Sequence, residues 1–569
     1  MKYSLLVDVY EKLENTSSRL EKIDQIASLL SKTDEDLLSR ITLLVQGKVF
    51  PSWSDQEIGI ASQLAMKIIA TATGFSLKEI ENKFREIGDF GLVVEEFMKK
   101  KKQRTLFTRP LTVEKVFQNL ESLASIEGKG SQDRKFQLVS ELINASGPKE
   151  AKYIIRTTIG DLRIGVAEGV LRDSVAKAFF PDVSDEEKKE IIKIVEWAWF
   201  LRTDYGEVAM IAKTKGLTGL KNVKLKTGKP YHVLLSEKAT DLKEAVEKFE
   251  HVVLEFKFDG ARISIHKKGD KIWLYTRRLE DVTKQFPDLV ELVKKGLKAD
   301  DCVIEGELLG IDQKTGKPLP FQSLSQRIKR KYDIDKAMKD IPIQANLFEI
   351  VQLDGKMLFD LSLTERRKIL ESVIKEIPGK FQIAEQLITK DLKKAEEFYK
   401  RALNANQEGV MVKNLDATYQ PGRRVGYWLK VKPIMETLDL AIIGATWGTG
   451  KRTGWLGSLI LGCRDPKTGE FLECGMIGTG IKEKGEGVTF DQLTEMLKPY
   501  VISEKGNEIR IKPKIIVEIA YEEIQKSPNY ASGFALRFPR LVKLREDKGP
   551  LDTDSTERVI KIYSKQRGR

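Results

Sequence analysis

A short run of charged residues near the middle of the chain has the spacing of a strand with one reactive face. In residues 254–262, LEFKFDGAR, the side chains of Glu255, Lys257 and Asp259 alternate with two phenylalanines, so the charged set shares one face. A lysine on such a face can act as a covalent nucleophile when it is neutral, and nearby cations favour that neutral form. An amphipathic strand with ordinary surface charges is the alternative interpretation.

Further charged faces follow on other predicted strands. They carry Arg277 in YTRR, Glu305 and Glu307 in IEGELL, Glu408 in EGVMVK, and Lys430 and Lys432 in WLKVK. Cationic and acidic side chains offered by separate strands are what a nucleoside triphosphate with a divalent cation requires. The pattern therefore predicts a nucleotide site. For Glu305 on its own, the pattern favours a solvated or structural neighbour over a ligand.

Composition narrows the class of protein. The 569 residues include 97 Lys and Arg against 84 Asp and Glu, a net charge of +13. This excess of base favours a polyanionic partner, nucleic acid first and an acidic membrane second, with a solvated, salt-bridged surface as the alternative. The three cysteines and three histidines are scattered, which argues against a disulfide framework, a Cys or His metal site and a Ser-His-Asp triad. Neither a signal peptide nor a membrane span is predicted.

The texture of the sequence changes twice along the chain. Residues 1–222 show apolar positions at helical spacing, and residues 223–432 mix short alternating strands with helices. Residues 433–569 read as short strands with Gly turns, followed by a charged tail that suits a helix. The predicted fold class is thus an all-α region, an α+β region and an all-β region. The basic run at 99–104 is predicted to be a surface loop.

Together the motifs resemble those of the ATP-dependent DNA ligases of the archaeal and eukaryotic replicative type. The run KFDGAR, from Lys257 to Arg262, is similar to the family's K-x-D-G-x-R nucleophile motif. Five further motifs follow in family order, namely YTRR, IEGELL, LFEI, EGVMVK and WLKVK, and RFPR at 537–540 is similar to the last one. The resemblance covers essentially the whole chain. It implies a helical DNA-binding domain, an adenylation (nucleotidyltransferase) domain and an OB-fold.

The resemblance also implies roles for individual residues. Lys257 would attack the α-phosphorus of ATP and carry AMP. Adenine would stack on Phe348 and meet Glu255 at its edge, while Glu307 would meet the ribose. The other nucleotide contacts would come from Arg262, Arg277, Arg424, Lys430, Lys432 and Arg540, the last from the OB-fold to orient pyrophosphate. Mg²⁺ would be placed by Glu408 and Glu307.

The helical region resembles the DNA-binding domain of these ligases. In residues 157–168, TTIGDLRIGVAE, two glycines punctuate the chain next to Arg156 and Arg163. Turn amides and basic side chains of this kind hold phosphates, so nicked double-stranded DNA is the expected partner. A plain helix-packing turn is the alternative. The implied reaction seals nicks during replication, repair and recombination, through lysyl-AMP and a DNA-adenylate.

A second partner is implied by the segment after the four lysines. Gln103, Leu106 and Phe107 resemble the short motif with which replicative ligases bind the sliding clamp, PCNA. The alternative is a loop whose Phe107 packs back into the helical region. The resemblance further implies a cytoplasmic, nucleoid-associated monomer. An RNA ligase, an RNA capping enzyme and a non-catalytic DNA-binding scaffold are the rival readings. The sequence leaves open whether ADP or NAD replaces ATP.

Overall fold

The structure is a computed structural model that describes the chain except residues 55, 102–109, 127, 129, 331, 434–435 and 567–569. The described residues divide into two compact units. The first comprises Met1–Arg85, Phe90–Ala405 and Gly409–Val431, and the second comprises Glu86–Asp89, Asn406–Glu408 and Lys432–Arg569.

The first part of the chain is helical, as predicted. Its helices are α1 (Tyr3–Glu14), α2 (Arg19–Ser31), α3 (Glu35–Val45), α4 (Ser62–Thr73), α5 (Leu77–Ile87), α6 (Phe90–Lys100), α7 (Val113–Ser122), α8 (Ser131–Ala145), α9 (Pro148–Thr158), α10 (Glu168–Phe179), α11 (Asp185–Arg202) and α12 (Tyr205–Lys221). Local signals set their starts: the Ser184 side chain accepts from the backbone N–H of Glu187, whose own side chain accepts in return, and this capping box begins α11.

The predicted start of the basic surface loop is wrong. The basic run was expected to be a loop from Lys99, but α6 continues through Lys100. Both lysines form ion pairs one turn back, Lys99 with Glu95 and Lys100 with Glu96, each at 2.6 Å. Such i, i+4 pairs, with cations at the helix C-terminus, extend the helix into a basic sequence.

The next part of the first unit mixes helices with two sheets. Its strands are β1 (Glu237–Lys238), β2 (Val252–Lys257), β3 (Ala261–Lys268), β4 (Lys271–Thr276), β5 (Asp301–Gly310), β6 (Ile343–Leu353), β7 (Lys356–Met357), β8 (Phe381–Ile383), β9 (Gln386–Ile388), β10 (Gly409–Asn414) and β11 (Trp428–Val431). Its helices are α13 (Leu242–Glu247), α14 (Pro287–Gly296), α15 (Phe321–Ile328), α16 (Ile334–Asp340), α17 (Leu363–Val373) and α18 (Leu392–Asn404).

The two sheets bury one apolar face each. The first sheet has the order β1-β11-β10-β2-β9, and the second has β4-β3-β5-β6-β7 with β8 beside β6. In the first sheet, Leu254, Val412 and Leu429 pack with residues of α13 and α18. In the second, Ile263 and Ile304 belong to the core that includes α14. Because side chains alternate along a strand, the other face of each sheet is left to carry polar residues.

The second unit is rich in strands. They are β12 (Leu438–Trp447), β13 (Leu456–Arg464), β14 (Phe471–Ile477), β15 (Val501–Lys505), β16 (Glu508–Ile511), β17 (Ile516–Ala520), β18 (Glu523–Lys526), β19 (Phe534–Arg537) and β20 (Arg540–Leu544), with helices α19 (Phe490–Leu497) and α20 (Thr556–Lys565). The short strands predicted for residues 433–569 are confirmed. The charged tail forms α20, as predicted.

Candidate active site

The predicted nucleophile ends a strand in the middle of the first sheet. Lys257 is the last residue of β2, is half-buried, and pairs with Gly409 of β10. Register places Glu255 opposite Met411, which in turn lies opposite Lys430 of β11. The polar face of this sheet therefore presents Glu255, Lys257 and Lys430, as the alternation of the sequence predicts.

The second sheet supplies a matching polar face. Arg262 on β3 lies opposite Glu307 on β5, which lies opposite Asn346 on β6. One row further along, Ser264 lies opposite Glu305. Glu307 is half-buried, whereas Glu305 is fully buried. The two glutamates of IEGELL share one strand face, as predicted, but differ in burial.

An aromatic and cationic cluster joins the two polar faces. The Phe348 ring of β6 meets the Trp428 ring of β11 edge to face, with centroids 5.9 Å apart. The Arg262 guanidinium lies 5.5 Å from the Phe348 centroid and 5.2 Å from that of Trp428. The Lys413 ammonium lies 4.7 Å and 4.3 Å from the same two centroids. These distances are within cation–π range, so the cluster fixes the spacing between the sheets.

Glu255 is held at the bottom of this face. Its carboxylate accepts from the Lys413 ammonium at 2.5 Å and from the Gln386 side-chain amide at 2.8 Å. Glu255 and Lys413 are almost completely buried, so each compensates the other's desolvation. Lys413 and Gln386 were not predicted as site residues. Lys413 could have been found, because it alternates in EGVMVK with Met411, which pairs with Glu255.

Positive charge gathers where the second sheet meets the segment before β11. The pKa of Arg277 is lowered, first by partial desolvation and then by the neighbouring charges of Arg262 and Arg424, while Glu307 acts in the opposite direction. Three of the predicted nucleotide contacts are therefore close enough to repel one another. An anionic ligand would relieve that repulsion.

Two buried carboxylates of the second sheet, Glu305 and Glu349, hold neighbouring side chains in place. Glu305 accepts from the Tyr231 hydroxyl, from the Tyr419 hydroxyl at 2.5 Å and from Arg262 at 2.5 Å. Glu349 accepts from Arg366 of α17 at 2.8 and 2.9 Å. Glu305 is thus a structural neighbour of the site, as one of the two sequence readings held.

Three predicted site residues lie in the second unit. Glu408 directly precedes β10, and its carboxylate lies 2.6 Å from the ammonium of Lys432, which directly follows β11. Arg540 begins β20 and is exposed. In the described part of the chain, no group of three or more His, Cys, Asp or Glu could hold a metal ion.

The two predicted DNA contacts of the helical region, Arg156 and Arg163, have different surroundings. Arg156 is 1 % exposed, and its two terminal nitrogens donate to Glu14 at 2.9 and 3.0 Å. A guanidinium buried against a carboxylate would have to give up Glu14 to reach a phosphate, and the DNA contact of Arg156 stays a prediction. Its partner lies 142 residues away, and no local signal announced the pair.

The turn between α9 and α10, which is predicted to bind phosphates, is held in place by side-chain hydrogen bonds. Arg163 lies between α9 and α10 with φ 59°, is half-buried, and donates to Asp161 at 2.7 Å. The buried Lys22 of α2 donates to the carbonyl oxygen of Ile164 at 2.6 Å. Gly160 and Gly165 both have positive φ, which explains why glycine recurs there. Gln103, Leu106 and Phe107 fall outside the described residues.

Comparison with known proteins gives the class to which this arrangement belongs. Three family models match the chain: "DNA ligase N terminus" over residues 2–176, "ATP dependent DNA ligase domain" over residues 233–432, and "ATP dependent DNA ligase C terminal region" over residues 452–548. The helical region, the adenylation domain and the β-rich OB-fold domain each contain one of these matches. The chain belongs to the family of ATP-dependent DNA ligases.

Curated relatives match the chain over its full length. The chain is 47% identical to the DNA ligase of Nanoarchaeum equitans, covering 100% of this chain and 99% of the relative. It is 43% identical to the DNA ligase of Thermococcus onnurineus, covering 100% and 98% respectively. Among solved structures, "Pmar-Lig_PreS3" matches with a TM-score of 0.58 over 95% of this chain and 99% of that one, at 16% identity, which shows the fold alone.

The protein is an ATP-dependent enzyme that seals nicks in DNA. The rival classes, an RNA ligase, a capping enzyme and a non-catalytic scaffold, are set aside by family membership along the whole chain. A membrane-crossing helix is not found in the part of the chain that the structure describes.

Proposed function

We propose that Lys257 is the nucleophile of ligation. Its amine attacks the α-phosphorus of ATP, a P–N bond forms, and the bond to the β-phosphate breaks to release pyrophosphate. A 5′-phosphate oxygen of the nick then takes AMP from Lys257, and the 3′-hydroxyl attacks that phosphate and releases AMP. The supporting observation is the position of Lys257 at the end of β2, on the polar face that carries Glu255 and Lys430. Peptide mapping of the AMP adduct tests it.

Recognition of the base is assigned to Glu255 and Phe348. Glu255 keeps lone pairs after accepting from Lys413 and Gln386, because a carboxylate offers about four acceptor sites. These can accept from the exocyclic amine of adenine. Phe348 is braced by Trp428 and offers an aromatic surface beside Arg262. Guanine presents an acceptor where adenine has its amine, so the arrangement favours ATP.

The ribose and the phosphates are assigned to the surrounding charges. Arg262, Arg277 and Arg424 form the positive cluster that would face the phosphates. Glu307 lies close enough to act on the charge of Arg277 and is assigned to the ribose. Lys430 and Lys432, at and after the end of β11, would meet the α-phosphate. Arg540 would orient the leaving pyrophosphate in a step that brings the second unit to the nucleotide.

Mg²⁺ fits the available donors. Mg²⁺ usually keeps several waters and binds one or two carboxylates together with substrate phosphates. Glu307 and Glu408 would each supply one carboxylate, with water and phosphate oxygens as the other ligands. The cation would neutralise phosphate charge during transfer. The lysine, the arginines and the glutamates do the binding and orienting.

The predicted three-part division, 1–222, 223–432 and 433–569, is proposed as the working set of domains. The helical domain would grip duplex through phosphates, with Arg163 and the turn that Lys22 supports as one contact. Action in replication, repair and recombination, as a monomer at the nucleoid, completes the proposal.

Removing Arg540 tests the pyrophosphate assignment. We expect Arg540→Ala to slow lysine adenylylation by roughly a hundredfold, the usual cost of losing one charge aimed at a transition state. Final sealing of pre-adenylylated nicked DNA should fall much less, because no pyrophosphate leaves in that step. Single-turnover rates of both steps measure this. Lys543→Ala, on the same strand and paired with Glu518 at 3.5 Å, is the matched control. Equal losses in both steps would indicate a structural role.

Salt dependence tests the grip on phosphates. Each phosphate neutralised contributes about −0.9 to the slope of log K against log salt. A net charge of +13 leads us to expect a slope of about −4 or steeper for nicked duplex. Arg163→Ala should make that slope less steep by about 1. Fluorescence anisotropy across a salt series is the measurement. A slope near zero would refute binding dominated by the backbone.

Binding to the sliding clamp is proposed through Gln103, Leu106 and Phe107. The glutamine would fill a polar pocket, and the two apolar side chains would anchor the segment. We expect Leu106→Ala combined with Phe107→Ala to weaken binding to purified clamp while nick sealing without clamp stays near wild type. Titration calorimetry decides, and unchanged affinity would show that another segment is the tether.

A further inference from the structure

The segment that links the helical region to the sheets is fixed at its helical end. The backbone N–H of His232 donates to the carbonyl of Phe200 in α11 at 2.8 Å. The Thr203 hydroxyl, just beyond α11, donates to the carbonyl of Pro230 at 3.2 Å. The His232 ring packs on Trp199 with centroids 4.3 Å apart. Residues 230–232 are therefore anchored to the C-terminal end of α11.

The same segment reaches the nucleophile motif within three residues. The carbonyl of Leu234 accepts from Arg262 at 2.7 Å, and the backbone N–H of Leu234 donates to the Tyr419 hydroxyl at 2.9 Å. The Tyr231 hydroxyl donates to Glu305, as does that of Tyr419. Tyr231 and Tyr419 come from opposite ends of the domain's sequence and converge on one carboxylate.

This network determines which way Glu305 faces. Both hydroxyls engage Oε1, which leaves Oε2 for the Arg262 guanidinium at 2.5 Å. Glu305 is fully buried, and a buried carboxylate is tolerated only when donors satisfy it. Burial, followed by the charge of Glu305, raises the pKa of Tyr231 well above its ordinary value, and the same two causes act on Tyr419. Both tyrosines therefore remain protonated donors.

Arg262 keeps donor capacity on its other side. One terminal nitrogen is held by Leu234 and the other by Glu305, whereas Nε has no hydrogen-bond partner among the residues that the structure describes. The guanidinium carbon lies 5.5 Å and 5.2 Å from the ring centroids of Phe348 and Trp428. The protein thus sets the direction of the guanidinium. Because Nε is buried, the second N–H of each terminal nitrogen is what remains for a ligand.

We propose that Tyr231 and Tyr419 are positioning residues for lysine adenylylation, which hold Arg262 in register with the nucleotide through Glu305. The inference rests on the proposed contact between Arg262 and ATP. Neither tyrosine touches the nucleotide. Each acts by keeping Oε1 of Glu305 occupied, so that Oε2 cannot swing away from Arg262.

Removing single hydroxyls tests the inference. We expect Tyr231→Phe to raise the ATP concentration for half-maximal lysine adenylylation by about tenfold, since a hydrogen bond to a charged group is lost. The maximal rate should change by less than about twofold. Tyr419→Phe should act in the same direction, and the double variant should exceed either. Tyr10→Phe is the matched control: Tyr10 is fully buried, and its hydroxyl has no hydrogen-bond partner in the described structure.

Arg262→Lys, measured alongside, separates the two levels of the argument. If Arg262→Lys raises the ATP requirement and the tyrosine variants do not, the positioning role is overturned while the nucleotide contact stands. If neither changes it, the proposed contact of Arg262 fails, and the inference with it. A lower maximal rate at an unchanged ATP requirement would show that the tyrosines serve only the stability of the fold.

Discussion

Lys257→Ala should abolish the covalent attachment of AMP to the protein. No other residue is expected to replace its amine at the end of β2, where the strand meets Gly409. The loss should exceed a thousandfold, because removing a covalent nucleophile eliminates the pathway and leaves only binding effects. Intact-protein mass spectrometry after incubation with ATP and Mg²⁺ measures it.

The same variant should keep two other properties. Its affinity for nicked duplex should stay within about twofold of wild type, since backbone contacts from the rest of the protein dominate binding. It should also still seal nicked DNA that already carries 5′-AMP, because that step does not need the amine. Lys268→Ala, at the exposed end of β3, is the control and should be adenylylated normally. A full AMP mass gain in Lys257→Ala would contradict the assignment.

Of the substitutions proposed for this protein, Arg366→Met should lower the free energy of unfolding the most. Arg366 and Glu349 are buried, and the guanidinium also donates to the carbonyl of Ala417 at 3.1 Å. Removing one member of a buried pair leaves the other charge unpaired, at a cost of about 3–5 kcal/mol. For a domain of some two hundred residues, this corresponds to a fall in Tm of roughly 10 °C. Differential scanning calorimetry measures the transition.

Two further variants test whether the loss of stability comes from the unpaired buried charge. Replacing both partners, as Arg366→Met with Glu349→Leu, should recover much of the loss, because the unpaired charge is gone. Lys294→Met removes an exposed ion pair with Glu291 on α14 and should change Tm by no more than about 2–3 °C. If Arg366→Met were no worse than Lys294→Met, the buried pair would not stabilise the domain.

The strands that build the site could be predicted because their signal is local. Alternation placed Glu255 and Lys257 on one face, and the structure keeps them there. The helices of the first part of the chain could likewise be predicted from the spacing of their apolar residues. The limits of local signals appear at α6, whose end was misplaced because side-chain pairs extended it through Lys100.

The supporting contacts could not be predicted because they join distant segments. Tyr231 meets Glu305 across 74 residues, and Tyr419 meets it across 114. Arg156 shows the same limit, since its sequence context suggested an anion site and gave no sign of its partner Glu14, 142 residues away. Composition and spacing carry no information about such pairings.

The most direct test of the central claim is to locate AMP on the protein. After incubation of the wild-type chain with ATP, digestion and tandem mass spectrometry should find AMP on a single peptide, linked to Lys257. Addition of nicked duplex should discharge that adduct and yield sealed DNA at the same rate. An adduct on another lysine, or a Lys257 adduct that nicked DNA does not discharge, would contradict the account.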